Sequence, residues 1–466
     1  MQNNSEILIL GGGVAGLMTG IELASKGKSV TLLEKESKVG GQCKTEVLET
    51  NGGKYRFDYG GHRFITNNEH LLEFVEEILA DDLLVAQRSS VILHQNKTYE
   101  YPLNLKNLLK TAPKTLLAGA FFDTLQILLK LKKPDNKSFE SWIRSRFGKT
   151  LYKNFFGPYT KKLWGIEPHE LSADWAGQRI SLLDLKDVAK KLLFANKRTA
   201  RTYAKSFRYP KYGFGGLPSK MAQKFESLGG KIVLNADASK IDYENNAITA
   251  VHTTSDNSYC AKQIISTLPM NEMALSLGFD SKLKFRSLRF LCIGLDIEDF
   301  TPHTWQYVSD YDLLPTRIQE PKRRSSHMSP KGKSSIMLEI PCNAHDNIWD
   351  MDEKELLDIV KKDLLKLNFD IEDKIVDYFS FKTEHAYTLM DIDYNKHRDE
   401  TIHHLNKFDN LIMCGRQGTF RYIFLDTAME TGLMAAQMLL GDESITQEKI
   451  YNHRNEKTVI ETKSVA

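Results

Sequence analysis

A chain of 466 residues has room for two or three domains, and 63 Lys plus Arg against 60 Asp plus Glu leave a net charge of only +3. Nothing in that balance calls for a nucleic-acid partner. The five scattered cysteines, Cys43, Cys260, Cys292, Cys342 and Cys414, are odd in number and lack CxxC spacing, which speaks against a disulfide framework and against a metal site.

The first element is a short apolar run, Ile7–Leu10, of strand type. Gly11, Gly13 and Gly16 follow with GxGxxG spacing, then an amphipathic stretch from Val14 to Lys26 and a second apolar run, Val30–Leu33, closed by Glu34. Each part has a mechanical role in a dinucleotide-binding βαβ unit. Gly11 permits the tight turn, Gly13 lets backbone approach a pyrophosphate, and Gly16 lets the helix lie close to the sheet. The helix N-terminus offers unpaired N–H groups to the phosphates. Glu34 stands where a carboxylate accepts from a ribose hydroxyl. No leader precedes this strand, so a cytoplasmic protein is the expectation.

The next segments are KESKVGGQCKT, with Gly40–Gly41, and FDYGGHRF, with Gly60, Gly61 and His62. Two side-chain-free residues leave room for a planar ring against backbone; the plain alternative is a surface turn. His62 reads equally as structural or catalytic. No apolar run reaches membrane-spanning length. Thr115–Leu131 comes nearest, but Asp123 and Gln126 break it and lysines flank it. The preferred reading is a buried amphipathic helix, and the alternative is a helix lying on a membrane surface. Further on, Lys231–Val251 alternates as strand, turn and strand. Gln263–Met270 reads as a buried strand ended by Pro269, Asp352–Leu367 as a helix, and Asn410–Leu440 as strand, loop and long helix.

The paired glycine after the ribose acid resembles the extended signature of glutathione-reductase-like FAD enzymes. The order of all these pieces resembles the superfamily that includes protoporphyrinogen oxidase, the flavin amine oxidases and UDP-galactopyranose mutase. Four motifs carry the resemblance further: YTKKLWG (Tyr159–Gly165), FRYPKYGFGGL (Phe207–Leu217), TRIQEPKRRSSHMSP (Thr316–Pro330) and CGRQGTFRYIFLD (Cys414–Asp426). The resemblance implies an α/β fold, a glutathione-reductase-like FAD-binding Rossmann domain joined to a substrate domain of mixed sheet plus helical insertion. The expected division is 1–90, 211–284 and 405–445 for the discontinuous FAD domain. Residues 91–210 form the helical insertion, 285–404 the mixed-sheet domain and 446–466 a tail.

The expected cofactor is non-covalent FAD. Cys43 and His62 could tether a flavin, though neither has a motif that requires it. The cofactor set is Gly11, Gly13, Gly16, Glu34, Lys35, Gly40, Gly41, Gly60, Gly61, His62, Val233, Gly415, Arg416, Asp426, Thr427 and Ala428. His62, Arg416 and Tyr422 are the catalytic candidates. Arg416 precedes a helix whose N-terminus can face the flavin or its pyrophosphate. Substrate contacts fall to Tyr159, Trp164, Arg179, Arg317, Lys322, Phe420 and Tyr422. Arg317 either grips a phosphate, as in the mutases, or pairs with Glu320. Trp164 reads more readily as core, and Tyr159 as either core or substrate contact. Two departures separate the chain from standard bacterial mutases: Leu183 stands where the mutases have a second arginine, and Asp426 lies ten residues after Arg416.

Three functions remain open. The first is an FAD-dependent oxidoreductase acting on a phosphate-bearing, nucleotide- or lipid-linked sugar. The second is a redox-neutral mutase using reduced flavin N5 as nucleophile. The third is a protoporphyrinogen-oxidase or desaturase-like enzyme on an apolar substrate. No second GxGxxG is present, so any pyridine nucleotide would visit the flavin site itself.

Overall fold

The computed structural model describes residues 2–101, 105–129, 135–180 and 206–454. Two seven-stranded sheets organise it. In the first, the strand Gln2–Leu10 lies between Val30–Leu33 and Ser258–Ser266, parallel to both. Lys231–Val233 extends one side and Leu411–Met413 the other, again parallel. Burial on both faces explains why these strands read as continuous apolar runs, Leu8, Ile9 and Leu32 being fully enclosed. The hairpin Ala238–Glu244 and Ala247–Thr253 is added antiparallel at the margin. The helix Val14–Ser25 packs against the last long helix, Leu425–Leu439, with Gly432 at the crossing: a Cβ there would stand 2.2 Å from the Ala15 carbonyl oxygen.

The second sheet centres on Phe285–Leu295, paired antiparallel with Ser334–Cys342 and Ile375–Thr388. Its side chains alternate with the pleat. Leu291, Ile293 and Leu295 pack with Leu356, Val360 and Leu364 of the helix Glu353–Lys366, while Phe290 and Cys292 pack with Tyr55 and Phe57 on the other face. Asp352 caps that helix through the N–H groups of Lys354 and Glu355. The sheet continues through Arg317–Gln319 and Trp305–Val308 to Ser90–His94 and Lys97–Glu100. Residues 90–100, assigned by sequence mostly to a helical insertion, are therefore strands of the mixed sheet.

Two other segments differ from expectation. The helix Gln447–Asn452, placed in the tail by sequence, buries Ile450 and Tyr451 completely or nearly so. The helix Lys114–Leu128 was expected to bury its apolar stripe. Instead only Leu116 is buried, because the stripe and the packing face are different faces. The packing face carries Gly119 against Thr150 and Asp123, which accepts from the Thr150 N–H at 2.6 Å beside Gly148.

Candidate active site

The strands Gln2–Leu10, Val30–Leu33, Ser258–Ser266 and Leu411–Met413 all run toward one cleft of about 510 Å³, where Gly11, Glu34, Thr267 and Gly415 lie just beyond their carboxyl ends. The strands that follow Gln2–Leu10 in the chain lie on opposite sides of it, Val30–Leu33 on one and Ser258–Ser266 on the other, and such a switch in strand order is the place where open parallel sheets bind ligands. Gly11 has φ +100°, and a Cβ on it would meet Thr267 Oγ1. Gly13 and Gly41 face one another: a Cβ on Gly41 would come within 3.3 Å of the Gly13 Cα. Gly16 does not line the cleft. It lies on the sheet-facing side of the helix Val14–Ser25, where a Cβ would stand 2.2 Å from the Gly11 carbonyl oxygen. Glu34 Oε2 accepts from the Gly12 N–H at 2.8 Å and Oε1 from the Glu36 N–H at 3.0 Å. The carboxylate is thus fixed at the cleft wall with lone pairs to spare for ribose hydroxyls. Lys35, Gly40, Ala236 and Asp237 share this end. Val233 stands behind it, its carbonyl accepting from the Glu34 N–H at 2.9 Å.

The opposite end carries Gly60, Gly61, His62, Arg317, Arg416 and Tyr422. His62 Nδ1 is sealed from solvent without a hydrogen-bond partner. Burial, reinforced by Arg416, Arg324 and Arg317, pushes His62 down to about 3, so the ring is neutral. Arg416 donates to the carbonyls of Ala386 at 2.8 Å and Ile423 at 3.3 Å, and lies 4.5 Å over the Tyr422 ring. It follows Gly415 into a helix of only four residues, Gly415–Gly418. The long helix begins later, at Leu425, and brings Leu425 and Ala428 to the cleft. Asp426 and Thr427 are buried in its first turn and do not line the cleft.

Arg317 does not pair with Glu320. Its Nη2 reaches Glu339 Oε2 at 2.5 Å on the neighbouring strand, and its Nε has no partner among the described residues. A Cβ on Gly61 would come within 3.2 Å of Arg317 Nη1. Glu320 is occupied by the N–H groups of Phe300 and Thr301, by Ser334 and by Arg323. Lys322 turns away from the cleft: it donates to the Glu298 carbonyl and pairs with Asp299 at 3.3 Å.

The YTKKLWG segment forms the helix Gly157–Trp164, closed by Gly165 at φ +70°. Trp164 is core, stacked edge-on with Trp175 behind Tyr387. Tyr159 meets Tyr307, a cleft residue, edge-on at 6.2 Å. Phe420 is core against Phe285. Arg179 lies in the helix Ala173–Ile180, but its side chain and all of Leu183 fall outside the described residues.

The sequence reading passed over several cleft residues. Trp305 and Tyr307 alternate in WQYV and so share a face of their strand, a pattern that was visible. Tyr387, Glu339 and Thr267 had no local signal. Lys162, inside a motif already singled out, donates to the carbonyls of Val308, Asp310 and Pro315 at 3.3, 2.9 and 2.6 Å. It thereby binds the helix of Tyr159 to the loop joining the strands of Tyr307 and Arg317. Cys43 lines the cleft, but burial pushes its thiol up to about 12, which makes it a poor nucleophile for tethering a flavin.

Residues 14–294 match the family model described as flavin containing amine oxidoreductase. The chain is 22% identical to the UDP-galactopyranose mutase of Mycoplasma pneumoniae over 449 residues, covering 94% of this chain and 97% of that one. It is 29% identical to the dTDP-fucopyranose mutase of Escherichia coli over 177 residues, covering 36% of this chain and 44% of the relative. The crystal structure of a reduced UDP-galactopyranose mutase superposes with a TM-score of 0.82 at 20% identity, covering 96% of each chain.

Proposed function

The chain belongs to the flavin-containing amine oxidoreductase family and is an FAD enzyme; from that premise we propose that it rearranges a nucleoside-diphosphate sugar without net redox change. The observation that carries the reading is Arg317. A cation with an unpartnered Nε lies against Gly61, at the same end of the cleft as the backbone that suits a flavin ring. Similarity to sugar-nucleotide mutases over nearly the full length supports it.

The residues present suit FAD. Gly13 and Gly41 leave a cradle that a Cβ would narrow, and Glu34 is held ready for a ribose. Bound in its reduced form, FAD supplies an electron-rich nitrogen nucleophile for an anomeric carbon. The chain does the rest. Arg317 binds phosphate oxygens, its direction set by Glu339. Tyr307, Tyr387 and Tyr422 wall the site and exclude water, with Tyr159 backing Tyr307. Arg416, anchored by two carbonyls, holds a fixed positive charge where negative charge gathers. Neutral His62 offers one ring nitrogen to accept or donate a hydrogen bond.

Leu183, in place of the mutases' second arginine, favours a second reading: net oxidation of the same kind of sugar. An anaerobic assay separates the two. Photoreduced and oxidised protein are mixed with UDP-, dTDP- and GDP-sugars, and products are weighed. A product of unchanged mass, formed only by reduced protein, supports rearrangement. A product lighter by two hydrogens, with bleaching of oxidised flavin, supports oxidation.

A further inference from the structure

We propose that the helix Lys114–Leu128 docks the protein onto an anionic lipid surface, lying in the plane of the headgroups. Ala118, Phe121, Phe122, Leu125, Leu128 and Leu129 recur at helical spacing and therefore share one face. That face points to solvent: Phe121 is 66% and Phe122 63% exposed, and Leu125, Leu128 and Leu129 are exposed with them. Leu109, at the end of the preceding helix Leu105–Thr111, is exposed as well. A water-facing apolar stripe of this size on a soluble surface is unusual and marks a contact surface.

Charge identifies the occupant. Lys110 and Lys114 stand at one end of the stripe, and the sequence just past its other end reads KLKKP, with Lys130, Lys132 and Lys133. The one acid within the helix, Asp123, is turned to the opposite face, where it accepts from the Thr150 N–H. Apolar bulk bordered by Lys110 and Lys114, with no acid on the exposed face of the helix, suits anionic headgroups above acyl chains. At 15 residues the helix is about 22 Å long, too short for a hydrocarbon core of about 30 Å, and no described helix is long and apolar enough to cross a membrane. It lies on the surface rather than through it.

Docking there is coupled to the site by packing. The helix Lys114–Leu128 rests on Phe139–Leu151, which leads directly into the segment carrying Tyr159. The inference stands on this surface alone and does not depend on the reaction proposed above.

The test is vesicle co-sedimentation of the FAD-loaded full-length protein. Vesicles of pure phosphatidylcholine are compared with vesicles containing 3:7 phosphatidylglycerol to phosphatidylcholine. The variants are Phe121→Asp/Phe122→Asp and, separately, Lys110→Glu/Lys114→Glu. The expected result is binding to the anionic vesicles at least tenfold tighter than to the neutral ones. Each variant should lose tenfold or more while keeping its flavin spectrum, which shows that it is folded. Absence of binding to anionic vesicles overturns the proposal, as does equal binding by wild type and the Phe121→Asp/Phe122→Asp variant. Light scattering of the same samples covers the remaining case: a wild-type dimer that this variant dissolves, without vesicle binding, would assign the face to a second copy.

Discussion

Arg317 and Glu339 meet at 2.5 Å across two adjacent strands, and the pair ends a run of buried polar groups that leads from the cleft to Asp58. Gln319 donates to the other oxygen of Glu339 and accepts from Arg324, and Arg324 faces Asp58 at 3.6 Å. Asp58 also accepts from Tyr209, Thr45 and the Phe214 N–H. Two arginines and two acids balance, which is the condition for burying such charges at all. The run holds the Arg317 guanidinium still before any substrate arrives.

Arg317→Ala should therefore weaken binding of UDP or another nucleoside diphosphate about tenfold or more, since a charge-assisted hydrogen bond contributes roughly 1.5–3 kcal/mol. Arg317→Lys should recover only part, because the planar fork is gone. Calorimetric titration measures both. Flavin content should stay unchanged; its loss would assign the residue to the cofactor.

Glu34→Ala should weaken FAD binding by about 1–3 kcal/mol, the cost of stranding polar partners in a buried place. Fluorescence titration of apoprotein with FAD reads this directly. An unaltered dissociation constant would mean that the ribose is held by other groups.

His62 makes stability depend on acidity. The unfolded chain takes up a proton near 6.5, whereas the folded chain waits until about 3. Between those values the unfolded state binds more protons, so stability falls as pH falls and is undiminished above 6.5. By pH 5 the loss relative to the high-pH limit is about 2 kcal/mol, at about 1.36 kcal/mol per unit below 6.5. His62→Asn removes this contribution. The drop in denaturant midpoint between pH 7 and pH 5 should be smaller in the variant than in the wild type.

Gly432→Ala should force apart the helices Val14–Ser25 and Leu425–Leu439, at a cost of about 1–3 kcal/mol for overpacking. Ala15 and Ala428 of those helices line the cleft, so FAD retention should fall together with melting temperature. Gly216→Ala is the control. It has nothing within 4 Å of its Cβ position and should melt close to wild type.

That Gly11, Gly13, Glu34 and the two Gly-Gly pairs share one cleft was legible because the signals are local: glycine spacing, an acid at a strand end and two Gly-Gly pairs all lie within the first 62 residues. The substrate end was only partly legible. Arg317 was named, but with the wrong competing partner, because Glu320 is near in sequence and Glu339 is near in space. Lys322 shares the motif yet faces away, since a 3₁₀ turn at Pro321–Arg323 reverses it. The stripe at 118–129 shows the limit of periodicity: it reveals that a helix has an apolar face, but not whether neighbours leave that face covered.

The pairing of Ile7 with Gln263 also sets a schedule. The first strand leaves the ribosome some 256 residues ahead of its partner, a wait of roughly 13–50 s at about 5–20 residues per second. Leu411–Met413 comes later still. Until then the glycine turn after the first strand borders an unfinished sheet with an open edge. A nascent chain should therefore gain its flavin only late in synthesis, and a chain that stops before residue 411, lacking this strand together with Gly415 and Arg416 of the cleft, should fail to retain FAD.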